Sequence, residues 1–147
     1  MSKSNTQENE YMLLMFNNTG SAGIGDATGL RGSTVAGSFY LSLHTADPGE
    51  AGTQATNETA YTGYARVAVA RSAAGFTITA NALNLFANAD FPECTGAPGA
   101  AITHFGLGDA SSGATKLRYK GTLTPNIAMA LGVIPRISTA ANLITED

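Results

Sequence analysis

Two histidines are the side chains in this chain best suited to acid–base or metal chemistry near neutral pH. His44 lies three residues before Asp47, and His104 lies five residues before Asp109. A hydrolytic triad needs a nucleophile, a base and an orienting acid, but no Gly-x-Ser-x-Gly nucleophile motif is present. The two histidines could meet across neighbouring strands, yet two histidines without a third ligand make a weak metal site. The sequence therefore predicts no catalytic residue and no metal ligand.

The other reactive groups are scattered. Cys94 is the single cysteine, so no disulfide can form within one chain, and no cation beside it in the sequence favours a thiolate. We expect it to be a packed thiol. The glycines at 23 and 25 look like the start of a dinucleotide-binding loop, but the next glycine is at 29 and no strand precedes them. The sequence therefore predicts no cofactor.

One stripe of positive charge stands out. Lys116, Arg118 and Lys120 alternate with apolar residues, which places all three on one face of a strand. This face could meet an acidic partner, or it could be the solvated face of an edge strand that lysine protects from unwanted pairing; we favour the second interpretation. The formal net charge of -3 and the lack of interleaved aromatic residues argue against binding to nucleic acid.

Composition suits a subunit that stays packed against neighbours. The 147 residues are enough for one domain, and 44% of them are hydrophobic while only 13% are charged. A surface rich in Thr, Ser, Asn, Gly and Ala is neutral and adhesive, although an ordinary β-domain with a Thr-rich exterior would have the same composition. No apolar run approaches 18 residues, and the polar N-terminus has no signal-like core, so we expect no membrane span and no secretion signal.

The N-terminal segment predicts one short helix over about residues 5–17, with Ser4 or Asn5 as its N-cap. Residues 11–16 are wholly apolar, so this part is expected to be buried all round. The helix could close one end of the protein's own core, or it could dock into another subunit. Residues 20–37 are rich in glycine and predict an extended arm.

From residue 38 onward the apolar residues recur with a period of two. The predicted strands are 38–44, 64–71, 76–79, 81–87, 89–91, 102–108, 116–123, 133–137 and 142–145. In the strand 64–71, alternation places Ala65, Val67 and Val69 on the inward face and Tyr64, Arg66 and Ala68 on the outward face. Short strands at such spacing are typical of an all-β fold, an antiparallel β-sandwich of which a jelly roll is one form. The predicted organisation is therefore a helix with a Gly-rich arm over 1–37, followed by a β-sandwich over 38–147.

Several motifs resemble those of a family of small tailed-bacteriophage virion proteins. The longest is Leu-Ser-Leu-His-Thr-Ala-Asp-Pro-Gly-Glu-Ala-Gly at residues 41–52. Further landmarks are residues 64–66 (Tyr-Ala-Arg), 91–92 (Phe-Pro), 103–107 (Thr-His-Phe-Gly-Leu) and 145–147 (Thr-Glu-Asp). Members of this family are often labelled tail fibre proteins, and β-sandwich proteins of this size also serve as capsid cement. The resemblance implies a non-enzymatic structural protein of the virion.

Our main expectation is a capsid decoration or cement protein on the outside of the head, assembled in the host cytoplasm. The alternatives are a tail fibre, tail-tip or adaptor component, and a carbohydrate-binding module. Because the chain lacks Trp as a stacking platform, we expect no carbohydrate binding. Expected partners are the major capsid protein and further copies of this chain, or else tail proteins, but neither nucleic acid nor membrane. The predicted interface residues are the apolar side chains Tyr11, Leu14, Met15, Phe16, Ile24 and Leu30.

Overall fold

A computed structural model describes residues 3–25, 29–139 and 143–145. Within these ranges the chain forms one helix, α1 (Asn5–Asn17), and nine strands. The strands are β1 (Ser38–His44), β2 (Val67–Ala70), β3 (Phe76–Thr79), β4 (Ala82–Leu85), β5 (Ala89–Asp90), β6 (Ile102–Gly108), β7 (Leu117–Ile127), β8 (Arg136–Ile137) and β9 (Ile144–Thr145). The predicted class is confirmed, because the chain is mostly β with antiparallel pairing and one short helix. The jelly roll is not confirmed.

The chain divides into two compact units. The helix unit comprises Met1–Ser38, Val69–Asn88 and Ser138–Asp147, and the sheet unit comprises Phe39–Ala68 and Ala89–Ile137. The predicted division between residues 37 and 38 stays a prediction. No helix in the described part of the chain is long and apolar enough to cross a membrane.

In the helix unit, α1 packs against β3. Ser4 is the N-cap, and its Oγ accepts a hydrogen bond from the N–H of Gln7 at 3.3 Å. Met12 and Phe16 are one turn apart on the same helix face and are fully buried. The ring of Phe16 lies 5.4 Å from that of Phe76 at the start of β3. The predicted helix is confirmed, and its apolar face contributes to the core of its own unit. The expected burial of residues 11–16 all round is wrong, because only Met12 and Phe16 of this run are buried and its other side chains are half-buried.

The helix unit also contains the antiparallel sheet β3-β4-β9. Phe76 pairs with Leu85 and Ile78 with Leu83 in the β3–β4 hairpin, and Leu83 also pairs with Ile144 of β9. Phe76, Leu83 and Leu85 are buried, as the alternation predicts. The first residue of the strand predicted at 142–145 lies outside the described residues.

The sheet unit is built on β1, β6 and β7, in the strand order β2-β1-β6-β7. Leu41 pairs with Leu107 and His44 with His104 across β1 and β6. The two leucines are fully buried and belong to the core of this unit. The predicted hairpin of β6 and β7 is also present, and β7 forms one edge of the sheet.

Several strands differ in their bounds from the prediction, and β2 and β7 differ most. β7 continues through Pro125 to Ile127, although proline was expected to limit pairing. An edge strand tolerates proline because only one of its sides needs a complete hydrogen-bond ladder. β2 is shorter than the predicted 64–71, because Tyr64 and Arg66 are recruited into a polar network instead of a strand.

Candidate functional site

The run at residues 41–52 forms a turn in the sheet unit. The carboxylate of Asp47 accepts a hydrogen bond from the N–H of Gly49 at 2.8 Å, which is the geometry of an Asx turn. This hydrogen bond holds the pKa of Asp47 below its usual value. Asn57 donates from Nδ2 to the Asp47 carbonyl at 2.9 Å, and Thr45 N–H donates to the Asn57 carbonyl at 2.9 Å. The run is therefore a folding motif that joins the end of β1 to the loop that follows.

His44 has both ring nitrogens occupied. Nδ1 lies 2.8 Å from the carbonyl oxygen of Thr56, and Nε2 lies 2.9 Å from Oγ of Ser42. Because a carbonyl only accepts, Nδ1 carries a proton. Burial lowers the pKa of His44, which favours the neutral ring, in which Nε2 accepts from the Ser42 hydroxyl.

The two histidines meet as the sequence suggested, because His44 and His104 are cross-strand partners. Nδ1 of His104 lies 2.8 Å from Oγ1 of Thr103. Among the residues that the structure describes, no group of three His, Cys, Asp or Glu side chains could hold a metal. Ser42 and His44 have the types of a nucleophile and a base, but both are fully buried, so a substrate cannot reach them. Their role in this structure is to join β1 to its loop.

Arg66 is the centre of a second buried network. Its Nε and Nη2 donate to the two oxygens of Glu58, both at 2.7 Å, and this pairing keeps the pKa of Arg66 above its usual value. Arg66 also donates to the carbonyls of Ala110 and Gly113 at 3.0 and 2.9 Å. One guanidinium therefore fastens the turn between β6 and β7 to the loop before β2. The sequence indicated an outward-facing arginine, and this interpretation is wrong.

Two tyrosines extend this network. The hydroxyl of Tyr64 donates to Glu58 at 2.8 Å and accepts from the N–H of Leu43 at 3.1 Å. Burial raises its pKa. Tyr61 donates to the carbonyl of Pro92 at 2.7 Å, and burial raises the pKa of this hydroxyl to about 12. The ring of Tyr64 stacks on Phe91 at 6.3 Å. The landmarks at 64–66 and 91–92 are thus parts of one packed assembly.

Gln54 makes a third buried connection. Its Nε2 donates to the Tyr40 carbonyl at 3.1 Å, and its Oε1 accepts from Thr115 Oγ1 at 2.7 Å. A Cβ at Gly108 would lie 2.1 Å from Cδ of Gln54, so only glycine fits there. A Cβ at Gly106 would similarly lie 2.7 Å from Ser42 Oγ. Close packing of buried polar side chains explains why glycine recurs in β6.

Two residues of the basic stripe, Arg118 and Lys120, are paired with carboxylates of the same unit. Arg118 Nη2 lies 2.8 Å from Asp109, and Lys120 Nζ lies 3.1 Å from both Asp47 and Glu50. A register shift next to Gly108 interrupts the strict alternation that the sequence suggested for this strand. These pairs and the edge position of β7 favour the interpretation of a solvated edge face. Between the Asp47 turn and β7 lies an open cleft.

The six predicted interface residues differ in how deeply their side chains are buried. Phe16 is fully buried inside the helix unit, and Tyr11, Leu14 and Met15 are half-buried on α1. Ile24 is 42% exposed and Leu30 47% exposed, both in the Gly-rich segment. Only these last two present a large part of their side chains to solvent. The interface itself stays a prediction.

The described part of the Gly-rich segment is held against the end of α1. Ser21 and Leu30 form a backbone bridge, with both hydrogen bonds at 2.8 Å. Arg71 donates to the carbonyls of Leu14 and Met15 in the last turn of α1 and to Oδ1 of Asn18 at 2.8 Å. A cation at this helix end also complements the helix dipole. Sequence reasoning missed Arg71, because its partners in and directly after α1 are more than 50 residues away along the chain.

Among the described residues, the buried networks tie loops to the strands of a mostly β chain. A family model described as "Podophage GP4 fiber I protein gp80" matches residues 3–144. The chain belongs to this family of phage fibre proteins, which confirms the resemblance to tailed-phage virion proteins. The family implies a structural protein associated with the virion. No curated protein matches the chain.

Proposed function

We propose that this protein is a structural subunit of a phage tail fibre, tail tip or tail adaptor. The observation that carries the proposal is the family match, which extends over nearly the whole chain and is described as a fibre protein. This description favours the tail alternative over the capsid decoration that we first expected. The role is non-enzymatic, in keeping with the burial of Ser42 and His44.

The cross-linked loops fit a subunit that must keep its shape within an assembly. Arg66 and Gln54 each join segments that are more than 40 residues apart in the sequence. Charged hydrogen bonds of this kind fix loop geometry more firmly than neutral ones. Loops fixed in this way suit a subunit that is packed against neighbours.

We further propose that the helix unit carries an attachment surface for copies of this chain or for tail proteins. Four large apolar side chains of this unit are exposed: Ile24, Leu30, Val35 and Phe86. A stable monomer gains nothing from exposing them, whereas a partner surface would cover them. Two of them, Ile24 and Leu30, were predicted as interface residues from the sequence.

The position in the virion is tested by counting and locating the protein. Quantitative mass spectrometry of purified virions measures copies per major capsid subunit, and immunogold electron microscopy shows where the protein lies. We expect few copies per virion and label at the tail. A copy number of the order of the shell subunit with label over the head would overturn the tail proposal in favour of decoration. Absence from purified virions would refute both.

The attachment surface is tested with Ile24→Ser and Leu30→Ser combined in one variant. We expect incorporation into virions to fall while the thermal unfolding of the purified protein is unchanged, since both side chains are exposed. Leu131→Ser is the matched control, because Leu131 is exposed in the sheet unit. Normal incorporation of the double variant, or an equal loss in the control, would overturn this surface.

A further inference from the structure

The Gly-rich segment closes on itself directly after α1. Its described residues 18–25 and 29–33 are called the closed loop here, and the two ends of this loop meet at Asn18 and Ser33. Nδ2 of Asn18 donates to the Ser33 carbonyl at 2.8 Å, and Oδ1 of Asn18 accepts from the Ser33 N–H at 2.6 Å. Nη1 of Arg71 donates to the same Oδ1 at 2.8 Å and to Oγ of Ser33 at 3.2 Å. The sequence predicted an extended arm, whereas the structure shows a loop with joined ends.

Contacts inside the closed loop fix its path. Ser21 and Leu30 exchange two backbone hydrogen bonds, both at 2.8 Å. Oγ of Ser21 donates to the carboxylate of Glu10 on α1 at 2.5 Å. A Cβ at Gly29 would lie 2.0 Å from the Ser21 carbonyl oxygen, so the two sides of the loop are too close for any residue but glycine at this position. The glycines of this segment therefore permit close backbone approach as well as turning.

The closed loop presents apolar side chains although its backbone is held. Ile24 is 42% exposed and Leu30 is 47% exposed, and both belong to the proposed attachment surface. A loop that is ordered before it meets its partner loses less conformational entropy on binding than one that must be ordered by the partner. Compact loops with joined ends are frequently functional elements. The contacts at the ends of the loop therefore bear on how well the attachment surface binds.

We propose that Asn18 is a positioning residue of this attachment surface, because its side chain locks the closed loop in the conformation that presents Ile24 and Leu30. The inference rests on the proposed function, whose attachment surface it deepens. Asn18 has two separable roles. Its backbone has φ 55° at the C-cap of α1, a left-handed conformation that glycine also adopts readily. Its side chain joins the ends of the loop, which glycine cannot do.

The lock is tested with Asn18→Gly in the full-length protein, by hydrogen exchange of backbone amides. The amides of Ser21 and Leu30 should exchange about tenfold faster in this variant, since the hydrogen bonds that close the loop are lost. Asn57→Gly is the matched control, because Asn57 also has φ 55° and donates from Nδ2 to a backbone carbonyl, that of Asp47, in the sheet unit. Wild-type exchange at both amides in Asn18→Gly, or equal acceleration in Asn57→Gly, would overturn the lock.

The positioning role is tested by incorporation into virions. Asn18→Gly retains Ile24 and Leu30 but should be incorporated several-fold less than the wild type, while its thermal unfolding is nearly unchanged because the lock is exposed to solvent. Asn57→Gly should be incorporated normally.

Two failures can be told apart. If Asn18→Gly is incorporated normally while the Ile24→Ser and Leu30→Ser double variant is lost, the attachment surface stands and the positioning role of Asn18 is refuted. If the double variant is incorporated normally, the attachment surface is wrong, and the role of Asn18 in it is refuted as well.

Discussion

Replacing Arg66 by Met should destabilise the protein more than any change at a surface ion pair. The side chain of Arg66 is 2% exposed and that of its partner Glu58 16% exposed. Removing the guanidinium leaves the Glu58 carboxylate without its cation and two carbonyls, of Ala110 and Gly113, without a donor. The two carbonyls belong to a turn that can reach water. The unpaired carboxylate of Glu58 therefore accounts for most of the lost stability.

Breaking a buried ion pair by removing one partner costs about 3–5 kcal/mol. Glu58 keeps its hydrogen bond from Tyr64 and some contact with water, so we expect the lower limit, about 3 kcal/mol. This is a large part of a typical stability of about 5–15 kcal/mol. With an m value of about 2 kcal/mol per M, the midpoint of urea unfolding should fall by roughly 1.5 M.

Urea unfolding at neutral pH, followed by circular dichroism, measures this loss. Arg136→Met is the control, since Arg136 forms an exposed pair with Asp90 and its removal should leave the midpoint almost unchanged. Adding Glu58→Gln to Arg66→Met should recover part of the stability, because it removes the unpaired charge. The reasoning is refuted if Arg66→Met shifts the midpoint no more than Arg136→Met, or if the double variant is less stable than Arg66→Met.

Three further changes test the other contacts. Gly106→Ala should cost about 1–3 kcal/mol, because the new methyl would overlap Ser42 and His44. Lowering the pH below the unperturbed histidine pKa of 6.5 should reduce stability, because the lowered pKa of His44 lets the unfolded chain take up the proton first. His44→Gln should remove this dependence. Arg71→Met should destabilise α1 by about 1–3 kcal/mol, measured by hydrogen exchange of its amides.

Each of these three predictions would be contradicted by a specific result. If the Gly106→Ala variant is as stable as the wild type, β6 accommodates the added methyl group without loss of stability. An equal pH dependence in His44→Gln and the wild type between pH 5 and 6.5 would assign the titration to another group. For Arg71→Met the matched control is the exposed Arg31→Met, and equal exchange in both variants would show that the α1 carbonyls do not depend on Arg71.

Local patterns in the sequence predicted the strands well. The bounds of β1, β3 and β6 match the predicted 38–44, 76–79 and 102–108, and α1 matches 5–17. Hydrophobic alternation and helix capping act between residues close in the chain, so they can be read directly from the sequence. The meeting of His44 with His104 also followed once both were assigned to strands that could be neighbours.

The buried networks were not predictable in the same way. Arg66 was assigned to an outward face because alternation alone decides the direction of a side chain in a strand. Its partners at Ala110 and Gly113 are 44 and 47 residues away, and only the folded sheet brings them within reach. No pattern in the sequence indicated that Gln54 is buried, because the hydrogen-bond partners of its side-chain amide lie up to 61 positions away in the chain.

The sequence by itself therefore determined the elements, the all-β class with one helix, and the motifs that relate this chain to phage virion proteins. These depend on short-range periodicity and on residue identity. The tertiary structure alone decided which polar groups are buried and paired, that the basic stripe borders a cleft, and which predicted interface side chains remain exposed. The physical reason is that a buried ion or amide must find its partners within hydrogen-bond distance, and those partners come from segments far apart in the chain.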